Sequence, residues 1–186
     1  MASSVVFDHP ELFQFVRPIS LDSYHALCEI DSNLEKTELI QGVIIEKMTK
    51  SPEHNFFSNL LAEELHKIKP EGSILLIEKP ISLLNSEPEP DIAIVSGSFY
   101  DFKFKNPETA LLVVEIARSS ISLDRVKKEI YASARIPEYW IVNLKNKEIE
   151  VYSEPREGKY EKSRVYSKES KINIFQSELD LKFFFD

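Results

Sequence analysis

The run Leu111-Leu112-Val113-Val114-Glu115-Ile116-Ala117 places one carboxylate inside an otherwise unbroken apolar stretch. An ionised group buried in a strand is costly unless it is paired or bound to a cation, so Glu115 needs compensation from its surroundings. Charges so placed concentrate at functional sites, although structural ion pairs carry them too. The plainer alternative is a strand end at which Glu115 reaches water or Arg118. Asp91 opens a second apolar run, Asp91–Val95, directly after Glu87-Pro88-Glu89-Pro90. By itself an Asp after Pro is more often a turn or cap residue. If the two runs pair antiparallel around the connection between them, however, Asp91 falls opposite Glu115 and Val95 opposite Leu111. Directly opposed side chains share a face, with Cβ atoms about 5 Å apart. Two carboxylates that close repel, and one takes up a proton unless a cation lies between them. A divalent ion with oxygen ligands, Mg²⁺ or Mn²⁺, resolves the conflict and can activate water for attack on a phosphate.

A third group comes from the helix expected after Glu115. At about 100° per residue, Leu123, Val126, Ile130 and Ala134 define an apolar face, with Lys127 on its flank near Tyr131 and Lys128 on the opposite side. A lysine leaning toward the sheet could orient the attacking water or stabilise a pentavalent transition state. The alternative is a lysine whose methylenes run along the core edge while its head stays in water. From that flank position, Lys127→Met is expected to leave folding nearly intact.

The elements that must carry these residues follow from periodicity and punctuation. Ser20 caps a short helix over Leu21–Cys28. Thr37–Ile40 and Val43–Met48 read as a hairpin turning at Gln41-Gly42, where a two-residue turn needs positive φ. Ser51-Pro52 supplies an N-cap and a first-turn proline for a helix from Pro52 to Ile68, whose apolar face is Phe57, Leu60, Leu61, Leu65 and Ile68. Strands are expected at Ile74–Ile77, Asp91–Val95 and Leu111–Ile116, the last covered on both faces and therefore central. A helix over Leu123–Ala134 stops before Pro137, and a strand follows at Glu138–Val142. A turn at Asn143–Lys147 leads to strands at Glu148–Ser153, Tyr160–Tyr166 and Lys171–Phe175. This order predicts an α/β protein of mixed α+β character, a mixed sheet with helices against it.

A resemblance now becomes visible. Glu38-Leu39-Ile40-Gln41-Gly42, His54, Pro90-Asp91, Val114-Glu115-Ile116-Ala117-Arg118-Ser119, the Asp124…Lys127…Tyr131-Ala132 run and Ile136-Pro137-Glu138-Tyr139-Trp140 resemble the domain-of-unknown-function 820 family of restriction-endonuclease-like proteins. The ordered series covers about residues 20–155 and is far more specific than any one piece. The family is similar to the PD-(D/E)XK nucleases, whose site is an Asp on one strand and Glu-x-Lys on the next. The resemblance implies a restriction-endonuclease-like mixed sheet with extra C-terminal strands, Asp91 and Glu115 as metal ligands, and Mg²⁺ or Mn²⁺ as cofactor. Ala117 stands where Glu-x-Lys would place its lysine, and the family's Lys-x-x-x-Tyr-Ala spacing selects Lys127 instead. Asp124 lies three residues before Lys127 and four before Lys128, which keeps Lys128 as the alternative. Ser119-Ser120-Ile121 replaces the family's usual Ser-Pro. Glu38 matches an early acidic residue that serves as auxiliary metal ligand or prop for the lysine; its alternative is an exposed strand carboxylate. His54 is read as a hydrogen-bonded structural residue, and Trp140 and Tyr139 as core and sheet surface, not as a base-stacking platform.

Composition bounds the rest. A chain of 186 residues that is 42% hydrophobic can bury one core, so one domain is expected over 1–186, with its nuclease-like core at about 20–155 and a β-rich extension at 156–186. Disorder is expected only in the first dozen residues and the last few. Cys28 is the only cysteine, which excludes an intramolecular disulfide and suits a reducing, cytoplasmic setting. No stretch approaches the length of a membrane span. The net charge of −8 argues against a protein that coats nucleic acid nonspecifically. Residues 1–100 carry 16 acidic and 7 basic side chains, net −9, and residues 101–186 carry 15 and 16, net +1, so any phosphate-facing surface is expected in the second half, the alternative being that these charges form a mixed solvated exterior. The expected function is metal-dependent hydrolysis of DNA phosphodiester bonds, by a homodimer if both strands are cut. The alternative, favoured by the acidic balance and Ala117, is a catalytically silent nuclease-fold module that binds nucleic acid or protein.

Overall fold

Alternation along two neighbouring apolar strands decides the architecture. In the computed structural model, which describes residues 9–118 and 121–185, the elements run α1 (Leu21–Ile30), β1 (Thr37–Ile40), β2 (Val43–Glu46), α2 (Pro52–Ile68), β3 (Ser73–Ile77), β4 (Ile92–Ser96) and β5 (Leu112–Ala117). Then come α3 (Ile121–Ser133), β6 (Glu138–Asn143), β7 (Glu148–Arg156), β8 (Lys159–Ser167), β9 (Lys171–Ile174), β10 (Ser177–Asp180) and α4 (Lys182–Phe185). A six-stranded sheet has the order β3-β4-β5-β6-β7-β8. Only β5 and β6 pair in parallel; every other neighbouring pair is antiparallel. A parallel pair needs a crossover, and α3 supplies it. Thus the helix that carries Lys127 is the helix that must cross the sheet beside Glu115.

The sheet separates two apolar clusters. Leu112, Val114 and Ile116 of β5 join Ile92 and Ile94 of β4 against Leu61 and Leu65 of α2. Val113 and Ala117 join Ala93 and Val95 against Ile130 and Tyr131 of α3. Side chains alternate along a strand, so Glu115 and Asp91 both belong to the α3 side. Each full burial of a Leu, Ile or Val in these layers contributes roughly 1.5–3 kcal/mol, so the layers fix the carboxylates' orientation far more firmly than local propensity does.

Helix starts follow their caps. Ser20 Oγ accepts the N–H of Ser23, and Ser51 Oγ accepts that of His54 at the head of α2, where Pro52 occupies the first turn. The turn between β1 and β2 has positive φ at both Gln41 (50°) and Gly42 (78°), the twist a two-residue hairpin requires. This hairpin lies outside the main sheet and is tied to the chain ahead of β4 by a bridge between Leu39 and Glu87.

Several boundaries differ from the sequence-based expectation. Asp91 sits just ahead of β4, because Pro88 and Pro90 lack the N–H that a ladder uses and pairing starts at Ile92. Two short 3₁₀ helices (Pro10–Phe15 and Ser32–Lys36), β10 and α4 were not anticipated. Order was not expected at the chain's end, yet Phe184 and Phe185 are buried against α2, with Phe184 edge-on to Phe57 at 5.2 Å. Their sequence context, Lys182-Phe183-Phe184-Phe185, shows no periodicity that would reveal this. β7 and β8 extend the main sheet, with Pro155 opposite Tyr160 and Arg156 opposite Lys159 across their tight turn, so the expected boundary near residue 155 falls within a hairpin. Tyr139 and Trp140 are both fully buried, on opposite faces of β6.

Gly42 gives this fold a direct test. A Cβ added there would lie 2.4 Å from Pro18 Cβ and 2.8 Å from the Ile19 carbonyl oxygen, in a backbone region that L side chains rarely adopt. Gly42→Ala is expected to destabilise the protein by about 2 kcal/mol, through strain at positive φ and displacement of the Pro18-Ile19 segment. Urea unfolding should show a lower midpoint at an unchanged slope; an unaltered midpoint would mean that the hairpin turn tolerates a side chain.

Candidate active site

β4 pairs with β5 through Ile92–Val114, Ala93–Val113 and Ile94–Leu112. Continuing that register by one residue puts Asp91 across from Glu115. The backbone confirms the closeness, since Ile116 N–H donates to Asp91 Oδ2 at 2.6 Å. His54 Nε2, from the first turn of α2, lies 3.0 Å from the same oxygen. Lys50, just ahead of the α2 cap, reaches the other one, Oδ1, at 2.8 Å. Burial opposes ionisation of Asp91, but the His54 hydrogen bond and the Lys50 charge outweigh it and hold the carboxyl below its usual range. His54 shifts upward for the matching reason: burial works against its charged form, and the hydrogen bond to Asp91 prevails.

Glu115 is paired from α3. Lys127 Nζ lies 2.8 Å from Glu38 Oε1 and 3.2 Å from Glu115 Oε1, and Tyr131 OH donates to Glu115 Oε1 at 3.0 Å. Lys127 and Tyr131 are four residues apart, one turn of helix, so both reach the same oxygen. Lys128 points elsewhere, its Nζ 4.9 Å from the ring centroid of Tyr152. Glu38 Oε2 also accepts the backbone N–H of Glu89 at 3.2 Å, which anchors the β1 carboxylate to the segment leading into Asp91. Burial pushes the Glu115 carboxyl up to about 8; Lys127 resists this, while Asp91, Asp124 and Glu38 add to it. Lys127, despite burial, is held charged by Glu115 and Glu38. Burial and the Glu115 charge drive the Tyr131 hydroxyl well above its ordinary value, so it stays a neutral donor.

Two expectations about α3 change. Val126, assigned to the apolar face, is 60% exposed, and the buried face runs instead through Asp124, Lys127, Ile130 and Tyr131. The face is rotated because Glu38 and Glu115 give Lys127 and Tyr131 partners that an apolar residue could not use. Lys127 is only 5% exposed, so Met in its place would leave Glu38 and Glu115 buried without their cation. The expectation that such a change spares folding therefore does not hold.

The structure brings Glu38, Asp91, Glu115 and Lys127 to one cleft of about 180 Å³, together with Lys50, His54 and Asp124. Lys50 was not singled out from sequence, and His54 was assigned only a structural part. The Ser51-Pro52 cap places His54 in the first turn of α2, but nothing in the pattern says that this turn faces Asp91. Basic side chains lining the cleft come from both halves of the chain, Lys47 and Lys50 as well as Arg118 and Lys127, not from the second half alone. Ser119 and Ser120, where the sequence departs from the family's usual Ser-Pro, lie outside the described residues.

Among the described residues no group of three or more His, Cys, Asp or Glu side chains is arranged to hold a metal ion. The donor set is a pair. Asp91 Oδ2 and Glu115 Oε1 are each engaged by two fixed donors. Among the described residues Asp91 Oδ1 meets only Lys50, and Glu115 Oε2 accepts no hydrogen bond. Two carboxylate oxygens fit a hard ion such as Mg²⁺, which keeps much of its water when protein-bound.

A stability measurement reads this electrostatics directly. The folded-state proton affinity of Glu115 is raised from an ordinary value of 4.5 to about 8. Its contribution to stability is therefore fully present below about pH 4.5 and is lost as pH rises through about 8. In EDTA the parent should lose stability relative to Glu115→Gln between pH 5 and pH 8.5, followed by urea denaturation at each pH. A difference that stays flat or reverses over this window would show that Glu115 is ionised without penalty.

Comparison with known proteins places the fold. Residues 21–182 match the Uma2 family, described as "Putative restriction endonuclease". No curated protein matches the chain. Among solved structures, the crystal structure of a "putative nuclease belonging to DUF820" from Anabaena variabilis ATCC 29413 superposes with a TM-score of 0.65. It shares 18% identity, over 80% of this chain and 89% of that one, a level at which the likeness carries the fold. The family match takes in every element from α1 to the first residue of α4, and the chain belongs to the Uma2 family of restriction-endonuclease-like proteins.

Proposed function

We propose that this member of a nuclease family is a metal-dependent endodeoxyribonuclease in which Asp91 and Glu115 hold Mg²⁺ or Mn²⁺ and Lys127 acts on the scissile phosphate. The observation that carries this is the way each carboxylate is divided: fixed donors take one oxygen of Asp91 and one of Glu115, while Glu115 Oε2 has no donor among the described residues and Asp91 Oδ1 is met by the loop lysine Lys50. The raised proton affinity of Glu115 supports it, because a cation would relieve the repulsion that Asp91, Asp124 and Glu38 exert there.

When bound, the ion supplies Lewis acidity and lowers the pKa of a water molecule, which makes a nucleophile available near neutral pH. The protein's own groups do the rest. Lys127 is held charged, so it cannot serve as a general base; its ammonium stabilises negative charge that accumulates on the phosphate. Glu38 fixes Lys127 from behind, and Tyr131 fixes Glu115. Attack of water on phosphorus forms one P–O bond and breaks another; the water gives up a proton to solvent, and the departing oxygen takes one from solvent, so the protons balance. Ala117 leaves the usual lysine position on β5 empty, and Lys127 approaches Glu115 from α3 instead.

The same proposal makes the chain a single domain and, because cutting both strands calls for two sites, a homodimer. Cys28 suits a reducing cytoplasm. Among the described residues no helix is long and apolar enough to cross a membrane.

Variants at two positions test the assignment. Lys127→Met should cost about 3–5 kcal/mol of stability, the penalty for leaving a buried carboxylate unpaired, and Lys127→Met with Glu38→Gln should recover part of it. That double variant should cleave DNA about 10²–10³-fold more slowly than the parent while still binding Mn²⁺. Asp91→Ala should lose Mn²⁺ binding and cleavage together. Parent protein that binds Mn²⁺ but cleaves no DNA would favour the silent interaction module, and a double variant cleaving at the parent rate would remove Lys127 from the mechanism.

A further inference from the structure

Asp91 divides its oxygens between two kinds of partner. The donors to Oδ2, Ile116 N–H and His54 Nε2, belong to β5 and α2 and are held there by packing. The partner of Oδ1, Lys50, comes from the segment between β2 and α2 and lies outside both. Lys50 reaches a second carboxylate, Glu78 Oε1, at 3.1 Å, and 27% of its side chain remains exposed. It is thus an ammonium on a flexible stem, resting on the oxygen that a metal would need.

The other cations of the cleft are also engaged. Lys47 pairs with Glu89, Arg118 with Glu53, and Lys127 with Glu38 and Glu115. A phosphate entering the cleft finds each of these basic groups already neutralised by a carboxylate. This fits poorly with a site that must bind a polyanion, unless one of the pairs opens first. Lys50 is the pair that a cation would open, because two positive groups cannot share Asp91 Oδ1 at hydrogen-bond distance without strong repulsion.

We propose that Lys50 couples cation binding to phosphate binding: it occupies Asp91 Oδ1 until a divalent cation takes that oxygen, and the displaced ammonium then binds the incoming phosphate. The proposal rests on the assignment of Asp91 as a metal ligand. It makes binding ordered, cation before nucleic acid, and the coupling is reciprocal, so nucleic acid tightens the cation in turn. Lys127 cannot play this part, being buried and held by two carboxylates.

The test uses the full chain as parent, Lys50→Met, Lys50→Arg, Asp91→Ala and Asp91→Asn, each checked for folding by circular dichroism. Mn²⁺ affinity is measured by titration calorimetry. Affinity for a fluorescein-labelled DNA duplex is measured by anisotropy in saturating Ca²⁺, read before any cleavage product appears on a gel. Lys50→Met should bind Mn²⁺ about tenfold more tightly than the parent and the duplex about tenfold more weakly, the scale expected when one nearby charge is removed. Lys50→Arg should stay near the parent in both. Opposite signs mark the coupling, because a merely damaged fold would weaken both. If Lys50→Met binds Mn²⁺ no more tightly while the Asp91 variants lose it, the coupling is overturned and the metal assignment survives. Tighter Mn²⁺ with unchanged duplex affinity likewise overturns the coupling. If both Asp91 variants bind Mn²⁺ as the parent does, the metal assignment fails and takes the proposal with it.

Discussion

Lys127, placed between Glu38 and Glu115, is the interaction on which the arrangement of the cleft depends. It joins three elements that share no continuous hydrogen-bonded ladder: the β1–β2 hairpin, the central strand β5 and the crossover helix α3. Three ionisable groups taken out of water are individually unfavourable as ions, and the attraction of Lys127 for the two carboxyls repays that cost only in good geometry. The geometry is supplied from outside the cluster. Tyr131 shares the load on Glu115, Glu89 N–H steadies Glu38, and Tyr139 OH holds the α3 backbone at the Asp124 carbonyl.

Chain topology explains why these groups meet. β5 and β6 are parallel, so the chain must cross over, and the crossover helix lies along the face that Val113, Glu115 and Ala117 present. Asp91 reaches the same face because it precedes β4 in a register that opposes it to Glu115. The opposite face carries the larger apolar cluster, closed by α2 and by the two C-terminal phenylalanines. One face is thus dry packing, and the other combines packing with ion pairs. Substitutions on the two faces should differ accordingly in whether they disturb volume or charge.

Much of this was legible in the sequence, for identifiable reasons. The opposition of Asp91 and Glu115 follows from two apolar runs whose only plausible pairing is antiparallel, and a one-residue slip would have turned every side chain over. Lys127 could be separated from Lys128 because the two differ by about 100° around α3 and Tyr131 marks the inner side. The same periodicity misplaced Val126, since a hydrophobicity pattern cannot know that a charged neighbour makes the flank the better-satisfied face. Lys50 was invisible: a loop lysine has no period, and only the path between β2 and α2 brings it to Asp91. His54 was visible as a position but not as a partner, because its helix is fixed to the sheet by leucines that say nothing of rotation at its first turn. β10 and α4 carried no such signal, and α4 is held by tertiary contacts, with Phe184 and Phe185 against Phe57.

The sheet ends at β8, whose residues are mostly exposed and include Lys159, Glu161, Lys162 and Arg164, with ion pairs from Lys162 to Glu154 and from Arg156 to Glu161. An edge strand is a row of unsatisfied backbone donors and acceptors, open to any other extended chain. Charges of both signs along it impose a desolvation cost on a strand that tries to add there, and a mismatched register brings like charges face to face. The outermost strand thus resists serving as a template for aggregation, and the protection persists in the folded protein, where among the described residues no further strand of this sheet covers that edge.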